Sequence, residues 1–331
     1  MNPIIEVLNL SKIFKLNKHQ RGFLGSVRNI FSSESYELRA VDDVSFSILP
    51  GECVGYIGPN GAGKSTTIKM LSGLLVPSSG HLTVNGYIPW RDRTRFVARI
   101  GVVFGQRTTL WWDLPVIESL DLLQVIYRIP QDQYQANLSE FREMLELDSF
   151  IDTPVRSLSL GQRMRADICA ALMHNPDILF LDEPTIGLDV LAKERIRQFI
   201  LMINQSRKTT VVLTTHDLSD VEKLCERVLI LDRGHLLYDG GLIELQKKFG
   251  GKRKLGVDFA ENYPEIEVNC AEVVEMQGNR VILAFERQSV TASELIQRLS
   301  ERYRIRDLSV QEPEIENTVR RIYEDKLLDG N

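Results

Sequence analysis

Residues 58–66 of this 331-residue chain read Gly58-Pro59-Asn60-Gly61-Ala62-Gly63-Lys64-Ser65-Thr66: a glycine, four residues, then Gly-Lys-Ser. Ahead of it, Glu52 to Ile57 is short, apolar and strand-like. Behind it, Ile68, Leu71, Leu74 and Leu75 continue a helical stripe. A strand, a glycine loop and a helix start gather backbone N–H groups around one concavity at the positive end of a helix. There Lys64 can reach the terminal phosphates of a nucleotide, and the Ser65 hydroxyl is placed to ligate magnesium. A glycine turn between strand and helix is the plainer alternative; the three parts in this order predict a phosphate cradle.

The second anchor is Ile178-Leu179-Phe180-Leu181-Asp182-Glu183-Pro184. A buried apolar strand ending in Asp182 presents a carboxylate to a magnesium ion beside Ser65. Glu183 then stands where it can accept a proton from an attacking water. Phosphoryl transfer needs positioning and charge neutralisation more than covalent chemistry, so a cradle, a metal and one base suffice. The apolar runs 178–181 and 211–213 are each followed by polar residues and then helical sequence. Continuous apolar strands alternating with helices predict an α/β fold with a parallel sheet covered on both faces.

Around these anchors, residues 4–10 and 40–48 alternate as strands, and 81–84 leads into Asn85-Gly86, a hairpin signal. Residues 100–106 read as a buried strand ending in Gln106. Helical patterns follow over 114–128 and 135–147, with Pro130 as a break, and over 161–173. Between Lys15 and Arg39 a basic, apolar stretch interrupts the plan. Phe23, Leu24, Val27, Ile30 and Phe31 share one helical face, with Arg21 and Arg28 elsewhere. It reads either as an amphipathic helix lying on its own strands or as a contact to a membrane partner or lipid headgroups. After Gly250-Gly251 the texture changes to a separate α+β domain over 252–331. Strands are expected at 255–259, near Val268 and at 280–285. A helix over 291–303 and a last helix with Ile315, Val319, Ile322 and Leu327 on one face complete it. No catalytic constellation falls there, which leaves regulation or dimer contacts.

Hydrophobic residues at 43% and charged residues at 26% fit a globular chain. A formal net charge of −5 argues against a nucleic-acid surface spread over the whole molecule. Cys53, Cys169, Cys225 and Cys270 are scattered, without metal-ligand spacing, as expected of a reducing compartment. No apolar run approaches the roughly 18–20 residues that cross a bilayer, and the first residues lack a signal-peptide pattern. A cytoplasmic location is expected, with any membrane role passing through a partner.

The ordered motifs resemble those of the ATPase subunits of ATP-binding cassette (ABC) transporters, over roughly residues 4–245. Leu158-Ser159-Leu160-Gly161-Gln162 is similar to the family signature, with Leu160 where a glycine usually stands. Gln106 resembles the Q-loop glutamine, His216 in Thr214-Thr215-His216-Asp217 the switch histidine, and Asp189 in Gly187-Leu188-Asp189 the D-loop aspartate. Phe14 matches the aromatic position that stacks on adenine, with Phe23 or Tyr36 as alternatives. The resemblance implies a nucleotide-binding domain over 1–248, with a mixed-sheet core, an antiparallel β subdomain and an α-helical subdomain near 107–173. It implies ATP and Mg2+ as ligands, with Ser65, Gln106 and Asp182 at the metal and Glu183, His216 and Gln106 in hydrolysis. It also implies a head-to-tail homodimer in which each ATP meets the glycine loop of one copy and Ser159, Gly161, Gln162 and Asp189 of the other.

Within the family, the signature and the small tail look like ABC-2 exporters, and the basic insertion looks like the polysaccharide and teichoic-acid exporters. An integral membrane permease is then the expected partner, and the cytoplasmic face of the membrane the expected place. Trp111-Trp112 fall where the family receives a helix of that permease, with core packing as the alternative. Two rivals remain: a soluble cassette ATPase acting on a ribosome or nucleic acid, and an ATP-binding scaffold without turnover. A single glycine loop and no sustained heptad repeat speak against the first, and Glu183 against the second.

Overall fold

The computed structural model describes residues 2–17, 35–105, 107–286, 289–313 and 315–324. The chain divides into two units, Met1–Gly240 and Gly241–Asn331. The first begins with β1 (Ile5–Asn17), β2 (Ser35–Ile48), β3 (Cys53–Ile57), α1 (Lys64–Leu71), β4 (Ser79–Val84), α2 (Arg93–Val97) and β5 (Ile100–Phe104). Three helices follow: α3 (Val116–Tyr127), α4 (Gln131–Met144) and α5 (Leu160–Leu172). It ends with β6 (Ile178–Asp182), α6 (Val190–Arg207), β7 (Thr210–Thr214), α7 (Leu218–Leu224), β8 (Arg227–Asp232) and β9 (His235–Gly241).

The six-stranded sheet has the order β5-β6-β7-β3-β8-β9. Its pairs from β5 through β8 are parallel. Every residue of β6 and β7 is buried, which is why their sequences are unbroken apolar runs and not alternating ones. Their register sets Asp182 opposite Thr214 and, on the other side, opposite Phe104. The second sheet, β2-β1-β4, is antiparallel. Ile5, Ile48, Val84, Val54, Ile68, Phe180 and Val212 belong to one core that both sheets and α1 share. Full burial of each such side chain contributes roughly 1.5–3 kcal/mol.

Several expectations are corrected here. The arms of β1 and β2 extend through 15–17 and 35–39, with Phe14 opposite Leu38, so part of the expected insertion is ladder. Residues 18–34, with Arg21, Phe23, Leu24, Val27, Arg28, Ile30 and Phe31, lie outside the described residues, as do Gln106 and Leu327. The Asn85-Gly86 turn forms, but its second arm stops at Tyr87 and β4 pairs with β1 instead. α4 starts at Gln131, not 135, because Pro130 is its N-cap and proline suits a helix start.

The second unit holds α8 (Leu242–Phe249), β10 (Arg253–Phe259), β11 (Glu272–Gln277), β12 (Arg280–Phe285), α9 (Ala292–Arg302), β13 (Ile305–Gln311) and α10 (Ile315–Glu324). Its antiparallel sheet runs β11-β12-β10-β13, and Leu295 and Leu299 of α9 share a core with Leu255, Val257 and Leu283. Val268 lies in irregular chain, not in a strand. Cys270, at φ 83, turns the backbone just before β11. The second unit begins in the chain at Gly241, and α8 packs on α10 within it. No helix of the described residues is long and apolar enough to cross a membrane.

Candidate functional site

The buried strand β3 delivers the chain into the glycine loop, and α1 leaves it at Lys64. Gly63 precedes α1 at φ +107, and a Cβ there would stand 2.4 Å from Ala40 O. Only glycine lets the helix start so close to β2. No side chain caps α1, so the amides of its first turn remain for a ligand. Lys64 Nζ donates to Gly58 O at 2.6 Å and to Pro59 O at 3.1 Å. Burial lowers the Lys64 pKa, while Glu183 and Asp182 act to raise it.

Asp182 closes β6 beside this helix start. Its Oδ1 accepts from Ser65 Oγ at 3.1 Å and from Thr214 Oγ1 at 2.5 Å. These are hard oxygen donors of the kind magnesium takes, one or two from protein and the rest from phosphate and water. Among the described residues no cluster of three or more His, Cys, Asp or Glu could hold a metal by itself. Glu183, next in the chain, takes the left-handed φ of 57, an uncommon conformation for a non-glycine residue. Its amide donates to Thr214 O at 2.9 Å, and its Oε2 lies 2.6 Å from His216 Nδ1. Since an ionised carboxylate only accepts, this pair places a proton on Nδ1.

One cavity of about 690 Å³ is lined by Phe14, Asn60, Gly61, Gly63, Lys64, Ser65, Thr66, Glu183 and His216, with Leu38, Ala40 and Ile186. A smaller one of about 300 Å³ reaches Ser65, Asp182, Glu183, Gly105 and Arg107. Phe14 therefore stands at the phosphate cavity, whereas Tyr36 does not line it and Phe23 is outside the described residues. Gly58, Pro59 and Ala62 complete the loop behind it. A larger cavity of about 920 Å³ opens elsewhere, around Asn2, Asn85, Asn137 and Arg207. It has no phosphate loop, and its Asn137 and Arg207 hydrogen-bond each other.

Ser159, Gly161, Gln162 and Asp189 do not line the phosphate cavity. Ser159 and Gln162 form a reciprocal cap of α5: Gln162 N donates to Ser159 Oγ at 3.2 Å, and Ser159 N to Gln162 Oε1 at 2.9 Å. Asp189 caps α6, accepting from Ala192 N at 2.8 Å. Trp111 and Trp112 are 39% and 51% exposed, so neither is a core residue.

Three groups escaped the sequence reading. Buried Asp167 of α5 holds Thr108 Oγ1 at 2.8 Å and Thr109 N at 2.9 Å, fastening the segment after Gln106 to α5. Burial raises its pKa and these hydrogen bonds oppose that. Asp217 is driven up by burial, but Lys193 at 2.6 Å and Ser219 bring it down to about 2. Asp220, fully buried, pairs with Arg197. Ser159 and Gln162 fit the Ser-x-x-Gln cap pattern, which was readable in advance. The three aspartate pairings, of Asp167 with Thr108 and Thr109, Asp217 with Lys193 and Asp220 with Arg197, join residues far apart in the chain and left no local signal.

A family model described as ABC transporter matches residues 41–186. The linearmycin resistance ATP-binding protein LnrL of Bacillus subtilis is 32% identical over 284 residues, 83% of this chain and 91% of that one. The Nod factor export ATP-binding protein I of Ralstonia nicotianae is 35% identical over 227 residues, 69% of this chain and 68% of that one. Among solved structures, the dimeric post-hydrolysis state of the ATP-binding cassette MJ0796, bound to ADP and Pi, superposes with a TM-score of 0.59. It is 27% identical, covering 72% of this chain and 98% of that one.

Proposed function

Because the chain belongs to the ABC transporter family as its ATP-hydrolysing component, we propose that it drives an ABC-2-type exporter whose pathway is built by a separate integral membrane subunit. One observation carries the reading. A single cavity gathers the glycine loop, Lys64, Ser65 and the Glu183–His216 pair, while Ser159, Gly161 and Asp189 do not line it. A site split in this way is complete only when a second copy brings its signature to the first copy's phosphates. The dimeric cassette of similar fold supports that arrangement.

In the proposed site the amides of the glycine loop and Lys64 hold the β- and γ-phosphates, and Phe14 stacks on the adenine. Ser65 and Asp182, with Gln106, would hold Mg2+, which when bound neutralises phosphate charge. Glu183 takes the proton of the attacking water, and His216 orients Glu183 and the γ-phosphate. From the second copy, Ser159 and the amides of Gly161 and Gln162 bring a helix N-terminus to the same phosphate. Asp189 lies at the seam beside them. Loss of the γ-phosphate removes the shared anion and lets the two copies part.

The export reading draws on relatives named for linearmycin resistance and Nod factor export. Exposed Trp111 and Trp112, with Leu122, Val125 and Ile126 on α3, offer an apolar surface for the membrane subunit. Co-purification from detergent-solubilised membranes tests the reading. Recovery of an integral membrane protein with the tagged chain, and ATPase activity stimulated by it, is the expected result. A chain that hydrolyses ATP but is recovered only with ribosomes or nucleic acid would overturn it.

A further inference from the structure

β6 and β7 end side by side, and each hands over to a loop carrying one member of the Glu183–His216 pair. Both loops are tied to the same buried carboxylate. Two residues after Glu183, Thr185 donates its hydroxyl to Asp220 Oδ2. One residue before His216, Thr215 Oγ1 lies 3.4 Å from that oxygen and 3.5 Å from Asp217 O, its two acceptors. The other oxygen, Oδ1, accepts from Arg197 Nε at 2.6 Å. Asp220 is 0% exposed and Arg197 6%. Arg197 Nη2 reaches on to Ser219 Oγ at 2.8 Å, and Arg197 itself stands on α6, the helix that Asp189 caps.

We propose that Asp220 is a positioning residue, one that sets the distance between Glu183 and His216 and ties that distance to the placement of α6. The inference rests on the reading that Glu183 and His216 act on the nucleotide. A buried ion pair by itself is weak evidence for stability, because desolvation consumes most of the attraction. Fastening α6 to α7 would need only the Arg197–Asp220 pair. The second oxygen does something the pair does not require: it collects the two hydroxyls that flank the reacting side chains. Glu183, at φ 57, is held in an uncommon backbone state that needs support from its surroundings, and Thr185 supplies a fixed point two residues on. A shift of α6, whose cap Asp189 stands at the proposed seam, would move Arg197 and through Asp220 both loops together.

The test uses the full chain and compares Thr185→Val with Thr185→Ser, alongside Asp220→Asn and Glu183→Gln. Valine removes one hydroxyl without changing side-chain volume and leaves the Arg197–Asp220 pair intact, so it stays informative even where Asp220→Asn fails to fold. The expected result for Thr185→Val is a fall in kcat of about tenfold to a hundredfold, the scale of a small misplacement of reacting groups. The KM for ATP stays unchanged, the pH–rate profile shifts, and serine restores both. A Thr185→Val enzyme with wild-type kcat and pH profile, whatever its melting temperature, overturns the proposal. Glu183→Gln separates the two layers: wild-type turnover there removes the base itself, and the inference falls with it for that reason alone.

Discussion

Glu183 Oε2 and His216 Nδ1 lie 2.6 Å apart although 33 residues separate them in the chain. Adjacent parallel strands bring them together, with Asp182 in register with Thr214. Replacing Glu183 by glutamine keeps the shape and removes the proposed base. The expected loss of turnover is about 10²–10⁴-fold, with ATP binding retained. Size-exclusion chromatography with ATP should then show a persistent dimer; steady-state assays give the turnover.

Substituting His216 by alanine removes the partner that fixes the Glu183 carboxylate. A kcat lowered by about 10²-fold or more, with little change in nucleotide affinity, is expected. Comparison of kcat with a fluorescent-nucleotide titration measures the two separately.

Gly63→Ala places a methyl 2.4 Å from Ala40 O at a backbone angle of +107°. The strain costs about 1–3 kcal/mol, and it falls where α1 presents its first amides. Weakened ATP binding together with a lower melting temperature is expected, read by titration and by thermal denaturation.

His174 stacks on Tyr127 at 4.2 Å and sets Nε2 3.0 Å from Ile100 O, while its Nδ1 is buried without a partner. Burial lowers its pKa from 6.5 to about 4. Between those values the unfolded chain takes up a proton that the folded chain refuses. Stability is therefore full above pH 6.5, declines on acidification and has lost this contribution, about 3 kcal/mol, by pH 4. Denaturant titrations from pH 7 to pH 4 should show a shallower decline in His174→Phe than in the native chain.

Trp111→Ala alters an exposed side chain away from the phosphate cavity. The isolated subunit should hydrolyse ATP at its usual rate, while, on the proposed export function, transport per ATP by the complex reconstituted with the membrane subunit falls. Vesicle transport and phosphate release, assayed together, check it.

The nucleotide-binding half was legible where chemistry is local in the chain. Buried strands β6 and β7 announce themselves as apolar runs, and the glycine loop states its own geometry. The arms of β1 and β2 did not. Leu16, Tyr36 and Leu38 stand 37–48% exposed there, so no clean alternation marks them, and the stretch read as an insertion. Pro130 looked like a break because a helix cap and a helix breaker are the same residue seen from opposite sides. Asp167 and Asp220 were illegible for another reason: each answers to partners brought near only by folding.

The pairing of α8 with α10 decides where the polypeptide can be cut. Leu242, Leu245 and Phe249 are covered in the intact chain, and Arg321 Nη1 reaches Phe249 O at 3.4 Å. A shortened gene product ending near residue 248 would keep most of that eight-residue segment and discard its cover. So short a helix does not persist alone in water, and its greasy stripe would invite clumping. Stopping at Gly240 leaves no such remnant, so a laboratory wanting the catalytic half for crystals or assays should place its stop codon there.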